Sequence, residues 1–254
     1  MGDAPLRLAA FALLFALFAI LEALAPDRPA SADRGKRWPT NLSLSALGAI
    51  VVRALGPLTA VGAAVWAQAA GFGLFNVVTA PGWAVAFVSI AALDLALYLQ
   101  HRAFHAVPLF WRFHAPHHAD RHLDVTTGLR FHPGELALST LWKALIVAAL
   151  GAPAAVVVAF EIALNAFSMF THANMRLPKA VQSVIGPVLV TPRTHRLHHD
   201  RDAGRFTGNY GFSLTLWDRL FATWRVAPEP ERLGIEDGPV DPNALRATLV
   251  QPLR

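Results

Sequence analysis

Apolar residues along this chain fall into long blocks rather than short alternations. Leu8 to Leu21 carries no polar side chain and is bounded by Arg7 and Glu22. With Ala23–Ala25 it approaches the roughly 20 residues a membrane-crossing helix needs. Ala23-Leu24-Ala25 also has the small-residue form of a leader cleavage site. Pro26 directly behind it hinders cleavage and further apolar blocks follow, so the block is read as a span. Ala54 to Leu93 then runs without Asp, Glu, Lys or Arg, broken by Gly71, Gly73, Asn76, Pro81 and Gly82. This predicts two spans joined by a neutral turn. The second continues from about Trp83 to Gln100 and on as helix to about Ala106. Arg53 leaves two readings open. Either the span begins after it and residues 41–52 lie along the interface, or the side chain snorkels or faces the bundle interior. Residues 136–171 carry only Lys143 and Glu161 as charges, and Gly151-Ala152-Pro153 divides them into a helical hairpin or a re-entrant pair.

The segment Asp27–Pro39 contains Arg28, Arg34, Lys36 and Arg37, whereas 71–82 contains no basic residue. By the excess of Lys and Arg in cytoplasmic loops, the first is cytoplasmic and the second external. Counting spans from there puts 101–134 and everything after His172 on the cytoplasmic side. The tail beyond Pro228 is Pro-rich and of mixed charge, and is expected to pack loosely. The predicted fold is all-α: an integral membrane bundle of four to five hydrophobic helices with a cytoplasmic His-rich helical cap. Its expected divisions are 1–82, 83–225 and 226–254.

Composition narrows the classes. Only 15% of the 254 residues are charged and 54% are hydrophobic, against about 25% charged in a soluble domain. That excludes disorder. The absence of cysteine excludes a disulfide scaffold and a thiolate metal site. A net charge of +5 on so lipophilic a chain fits anionic lipid rather than nucleic acid.

Histidine carries the chemistry. All eleven lie between His101 and His199. His101 and His105 form an H-x3-H pair. His114, His117 and His118 form an H-x2-H-H triplet, repeated at His195, His198 and His199, and His172 stands alone. Positions i, i+3 and i+4 share a helix face, so each triplet is expected to aim three imidazoles at one point. Pro116 and Pro192 are expected to open the helices that carry the triplets. A lone histidine is ordinarily solvated or satisfied by hydrogen bonds. A packed set of neutral imidazoles without a metal is a costly buried polar cluster. Eight or more ligands exceed what one ion takes, so two metals are inferred. Imidazole suits Zn, Cu, Fe and Ni. No Glu-x-x-His and no His-Glu-x-x-His is present, which disfavours soluble carboxylate di-iron proteins and standard metalloproteases. Asp94, Tyr98, His101 and His105 form one helical stripe. Asp94 is expected either to hold a ligand imidazole or to bond Tyr98 or backbone.

The ordered set Asp94-x3-Tyr98-x2-His101-Arg102-x2-His105, His114-x2-His117-His118, Thr126-Thr127-Gly-Leu-Arg130-Phe-His132-Pro133-x-Glu135, His195-x2-His198-His199, Asn209-Tyr210-Gly211 and Trp217-Asp218-Arg219-Leu220-Phe221 resembles the fatty acid hydroxylase superfamily, in its sterol desaturase branch, over about residues 83–225. The resemblance implies a non-haem di-iron membrane oxygenase that hydroxylates or desaturates lipids. O2 would be the co-substrate. It implies that the pair, both triplets and His172 ligate iron, with His132 a ligand or a neighbour of one. Asp94, Tyr98, Asn174 and Asn209 are expected to support the ligands. His122 matches no motif position and is expected at the surface. Some family members carry His where this chain has Ser168, which departs from that pattern. With no Rossmann fingerprint and no cysteine in the chain, an external reductant system, a separate electron-transfer protein, is expected. Trp217, Trp224 and Phe221 read as interfacial aromatics. Arg112, Arg193, Arg196, Arg201 and Arg205 are expected to meet lipid headgroups or to offset Asp120, Asp200 and Asp202. Two other classes remain open on the residues alone: a zinc-dependent membrane hydrolase or isomerase, and a non-enzymatic metal carrier.

Overall fold

The computed structural model describes residues 4–202, 207–236 and 241–253; Arg205 lies outside them. The first eight α-helices are α1 (Ala4–Leu24), α2 (Arg34–Ala54), α3 (Ala60–Ala70), α4 (Leu74–Val77), α5 (Gly82–Ala106), α6 (Pro108–His118), α7 (Pro133–Leu150) and α8 (Ala154–His172). Four short ones follow: α9 (Lys179–Ile185), α10 (Pro192–His198), α11 (Leu216–Leu220) and α12 (Leu245–Val250). The described residues contain no strand, only isolated bridges such as Pro26 with Met175. Five stretches are long and apolar enough to cross a membrane: α1, α3 with α4, α5, α7 and α8. The chain is a multi-pass membrane protein.

The breaks fall where the sequence punctuates. Gly151 caps α7 at φ 64° and Pro153 caps the start of α8, making the hairpin predicted for 136–171. Gly71 ends α3 in the same left-handed conformation, at φ 64°, which glycine adopts without a Cβ clash. Close approach fixes the partner of this second span. A Cβ on Gly48 would meet Leu136 Cδ1 at 2.2 Å, and one on Gly73 would meet the Ala148 carbonyl at 2.4 Å. α2 and α3 therefore run along α7 in the same direction. α2 does not lie flat on the interface: Arg37, Thr40, Asn41, Leu44 and Gly48 are its buried stripe. Arg53 is exposed in its last turn.

All helix ends that lead to histidine lie together. Glu22, near the end of α1, accepts hydrogen bonds from the backbone N–H of Val125 at 2.9 Å and of Asn174 at 3.2 Å. Arg37, near the start of α2, pairs with Asp120 and Asp124. The ends of α5 and α8 and the start of α7 meet at the same level. The basic 27–39 segment and every histidine cluster thus share one end of the bundle, as the sequence predicted.

Three expectations need correction. The segment 27–39 is not all loop, because α2 begins at Arg34 and buries Arg37 against two carboxylates. The C-terminal tail does not pack loosely. The Arg130 guanidinium donates to the Pro242 carbonyl at 2.7 Å, and His132 Nε2 reaches the Leu249 carbonyl at 3.2 Å. Pro116 does not open its helix: Pro108 does, and Pro116 sits in the last turn of α6. Pro192 opens α10 as expected.

Candidate metal centre

Nine imidazoles converge, in two groups. His101, His105, His114, His118 and His198 offer nitrogen atoms all within 4.8 Å of one another; His117, His172, His195 and His199 do the same. The triplets do not each serve one point. In α6 the i and i+4 members, His114 and His118, join the group of five, and the i+3 member His117 joins the group of four. In the second triplet the assignment reverses: His195 and His199 join the four, and His198 the five. Helix geometry gives the reason. At 3.6 residues per turn, i and i+4 lie about 40° apart, whereas i+3 and i+4, being adjacent residues, diverge by about 100°. One triplet therefore straddles two centres. His118 and His199 stack between the groups with ring centroids 4.2 Å apart.

Five rings are oriented through Nδ1. His101 donates to the Tyr210 carbonyl at 2.8 Å, His198 to the Gly208 carbonyl at 2.8 Å, and His117 to the Arg130 carbonyl at 3.2 Å. His172 donates to the Ser168 carbonyl at 2.7 Å, and His114 to Glu135 Oε1 at 2.8 Å. Such outer hydrogen bonds fix the tautomer and turn the Nε2 lone pair inward. The inward atoms are then left facing one another. His172 Nε2 lies 2.9 Å from His195 Nε2 and 3.1 Å from His117 Nε2. His172 and His117 have already given their ring proton elsewhere, so two acceptors meet. The Nε2 atoms of His101, His114, His118 and His198 are buried with no hydrogen-bond partner. A cation at each convergence resolves both features, and an all-imidazole donor set suits a first-row transition metal.

Burial, and after it the neighbouring imidazoles, push His114, His118, His195, His198, His199 and His117 well below the ordinary value of 6.5. These rings stay neutral, the form that ligates metal. A consequence follows for the metal-free protein. A base whose folded value is depressed contributes nothing unfavourable above its unfolded value. It lowers stability as pH falls below 6.5, because only the unfolded chain takes up the proton. Chelator-treated protein is expected to melt progressively lower from pH 7 to pH 5.5, and metal-loaded protein to resist the change. Thermal unfolding followed by helical circular dichroism checks this.

Other residues named from the sequence lie elsewhere. His132 is not in either group. It caps α7, its Nδ1 accepting from the Gly134 N–H at 3.0 Å, and Leu249 occupies its Nε2. Asp94 touches no imidazole. Its carboxylate accepts from Trp217 Nε1 at 2.7 Å and from the Ser213 hydroxyl, so Trp217 is an anchor rather than an interfacial aromatic. Tyr98 meets Thr223 at 2.8 Å and stacks on Phe221. Asn174 ties down the backbone of Arg28. Asn209, at φ 55°, bridges to the backbone of Arg225, and so shapes the 208–210 turn without touching a ring. Trp224 lies under the Arg219 guanidinium. Arg196 pairs with Asp27 and Glu229, and Arg201 with Glu236, not with the aspartates expected.

Two residues that matter were quoted from the sequence without a role. Glu135 orients His114. Asp218, fully buried, accepts from the N–H of Tyr210 at 2.8 Å and of Gly211 at 2.7 Å, and so pins the turn whose carbonyls hold His101 and His198. An acid in the first turn of an apolar span was the available signal for Glu135. The ring-holding carbonyls have no side-chain signature.

Beneath the imidazoles is a cavity of about 240 Å³ within the spanning helices. His101, His114, His117, His172 and His195 form part of its lining, so both groups face it, and Leu97, Phe104, Leu129 and Leu164 form apolar wall.

Comparison with known proteins agrees with this geometry. Residues 86–223 match the family described as Fatty acid hydroxylase. The chain is 32% identical over 160 residues to the ornithine lipid hydroxylase OlsE of Rhizobium tropici, covering 60% of this chain and 46% of that one. It is 30% identical over 157 residues to the alkylglycerol monooxygenase of Homo sapiens, covering 60% and 33%. It is 28% identical over 200 residues to a very-long-chain aldehyde decarbonylase of Oryza sativa, covering 75% and 29%. The matched part spans less than half the length of each of these relatives. No solved structure matches the chain.

Proposed function

Because the chain belongs to the fatty acid hydroxylase family, we propose that it is a membrane-bound di-iron oxygenase that hydroxylates or desaturates a lipid chain, with O2 as co-substrate and electrons from a separate donor protein. The observation that carries this reading is the pair of imidazole groups opening on one cavity inside the membrane-spanning helices, walled in part by Leu97, Phe104, Leu129 and Leu164. His101, His105, His114, His118 and His198 would hold one iron; His117, His172, His195 and His199 would hold the other. When bound, the irons supply O2 activation and C–H oxidation. The chain's own residues do the rest. Glu135 and the carbonyls of Tyr210, Gly208, Arg130 and Ser168 orient the rings. Leu97, Phe104, Leu129 and Leu164 receive hydrocarbon and exclude water. Relatives named for ornithine lipid and alkylglycerol support a lipid substrate.

The basic 27–39 segment at the histidine end supports a cytoplasmic centre, in a bacterial inner membrane. The position of the rings at one end of the spans, with His101 and His105 in the last turns of α5 and His172 closing α8, argues against a carrier, whose ligands belong near the midplane.

The test is purified, iron-loaded protein with a reductant system and lipid extract. A product gaining one oxygen or losing two hydrogens, and absent without O2, is expected. Turnover that persists without O2 would favour the zinc-dependent hydrolase or isomerase instead. Iron-loaded, reducible protein that modifies no lipid would overturn the reading.

A further inference from the structure

Asp94 touches no imidazole, and Trp217 reaches it from far along the chain. Their meeting place fixes a depth. α5 has 25 residues, about 37 Å of helix against a hydrocarbon core of about 30 Å. Trp83 in its first turn is exposed, and Trp at the end of a span marks a membrane interface. Asp94 follows Trp83 by eleven residues, a rise of about 16 Å that puts it near mid-span. His101 and His105 lie about 27 and 33 Å beyond Trp83, at the opposite interface.

The segment that meets Asp94 descends from the histidine end. Trp217 Nε1 donates to the carboxylate at 2.7 Å, and the Ser213 hydroxyl donates as well. Phe221 stacks on Tyr98, with ring centroids 5.4 Å apart. Phe212 packs against the cluster that contains Leu93 and Leu97. Residues 212–221 therefore run beside α5 at levels from about 4 to 10 Å below His101, within the span.

The outer side of this segment is apolar and open. Val188, Leu216 and Leu220 are each more than half exposed. Two hydrogen bonds join the stretches that carry them: Thr215 donates from its N–H to the Val188 carbonyl at 2.9 Å and from its hydroxyl to the Pro187 carbonyl at 2.7 Å. An exposed apolar surface of this kind marks an interaction site, and its depth says what covers it. On α5 itself, Ile90 and Leu99 are exposed at neighbouring levels, so the surface continues the lipid-facing side of the bundle.

We propose that α11, with the 187–190 segment joined to it, is inserted in the acyl region of the leaflet at the histidine end; its partner is lipid hydrocarbon, not water or a second protein. Interfacial helices sit about 5–10 Å into the boundary, the depth that Tyr98 and Asp94 set. Asp94 is then the polar anchor that seats the element. On the inner side of the same helix, Asp218 accepts from the Tyr210 and Gly211 N–H groups, so the lipid-seated element carries the turn whose carbonyls orient His101 and His198. The inference rests on the membrane-spanning architecture and not on the oxygenase chemistry.

The chain has no cysteine, so one introduced cysteine carries one nitroxide label. Val188→Cys, Leu216→Cys and Leu220→Cys change exposed side chains, and Lys36→Cys is the exposed control at the start of α2. The full-length labelled proteins are placed in vesicles of phosphatidylcholine and phosphatidylglycerol. Power-saturation electron paramagnetic resonance compares collisions with O2, which concentrates in hydrocarbon, and with a water-soluble nickel chelate. At 188, 216 and 220, O2 collisions are expected to dominate, at a depth of about 5–10 Å; at 36 the order is expected to reverse. Nickel dominance at 216 and 220 would put the face in water. Weak collision with both agents would mean that protein covers it, a second copy or another chain. Either result overturns the proposal.

Discussion

His198→Ala is expected to lose one of two metal ions per chain and nearly all oxidation activity, while the protein still inserts and keeps its helical content. The ring belongs to the group of five and is fixed through Nδ1 to the Gly208 carbonyl. Removing a partner that merely orients a ligand costs about 10–100-fold in metal affinity or activity. Removing the ligand itself is expected to exceed that. Truncation leaves a gap beside His101, whose ring centroid lies 4.5 Å away, and beside Tyr210, 5.6 Å away, whose phenol is no substitute for an imidazole ligand. His118→Ala should be worse, because its ring stacks on His199 across the two groups; loss of both ions is expected. His122→Ala and His132→Ala are the controls and should keep both. Iron content of membranes purified from iron-supplemented cells, with activity on the same samples, reads all four. Full metal content in His198→Ala would remove the assignment of that ring to a metal.

Much of this architecture was legible in the chain. Hydrophobic block length found the spans, and Gly151-Ala152-Pro153 found the hairpin, because solvent class and backbone stereochemistry are local properties. The convergence of the pair, both triplets and His172 was also legible, since helical spacing constrains which rings share a side. The division of each triplet was not. It depends on where the second metal position lies, which is a tertiary fact. Ser168 shows the same limit. Its hydroxyl donates to the Gly128 carbonyl at 2.6 Å, and a Cβ on Gly128 would meet the Ser168 carbonyl at 2.4 Å. The chain between His118 and His132 packs closely on the α8 backbone there, and the Ser168 hydroxyl is spent on that contact. Among the described residues the groups number five and four, with His172 in the four and Ser168 at the i−4 place before it. Asp94 misled for a related reason. A stripe on one helix places Asp94 and His101 on the same face but says nothing of what that face meets, and Trp217 and Ser213 reach the carboxylate instead.

Arg37→Ala is expected to be the most destabilising single change outside the imidazoles, by about 3–5 kcal/mol. The guanidinium is 2% exposed. Nε and Nη2 meet the two oxygens of Asp120 at 2.8 and 2.9 Å, Nη1 meets Asp124 at 2.8 Å, and Nη2 also donates to the His122 carbonyl. Burial alone would raise the Asp120 carboxyl, but Arg37 outweighs it and holds the group at about 2. Truncation therefore strands two buried carboxylates at neutral pH, and the penalty is theirs more than the lost contact's. The damage should reach the metal centre by a defined route. Asp120 and Asp124 anchor the segment between α6 and α7, and Arg130 in that segment supplies the carbonyl that orients His117. Asn41, one turn along α2 from Arg37, accepts from Arg130 Nη1 at 2.8 Å. The group of four should thus loosen before the group of five. Arg37→Lys retains the charge but not the two-pronged geometry, and is expected to recover part of the stability. Thermal unfolding of Arg37→Ala, Arg37→Lys and the double variant Arg37→Ala with Asp120→Asn separates the terms. If stranded charge is the cause, neutralising Asp120 recovers stability in the Ala background. If Asp120→Asn instead adds further loss there, the cost lies in packing and not in the uncompensated carboxylates.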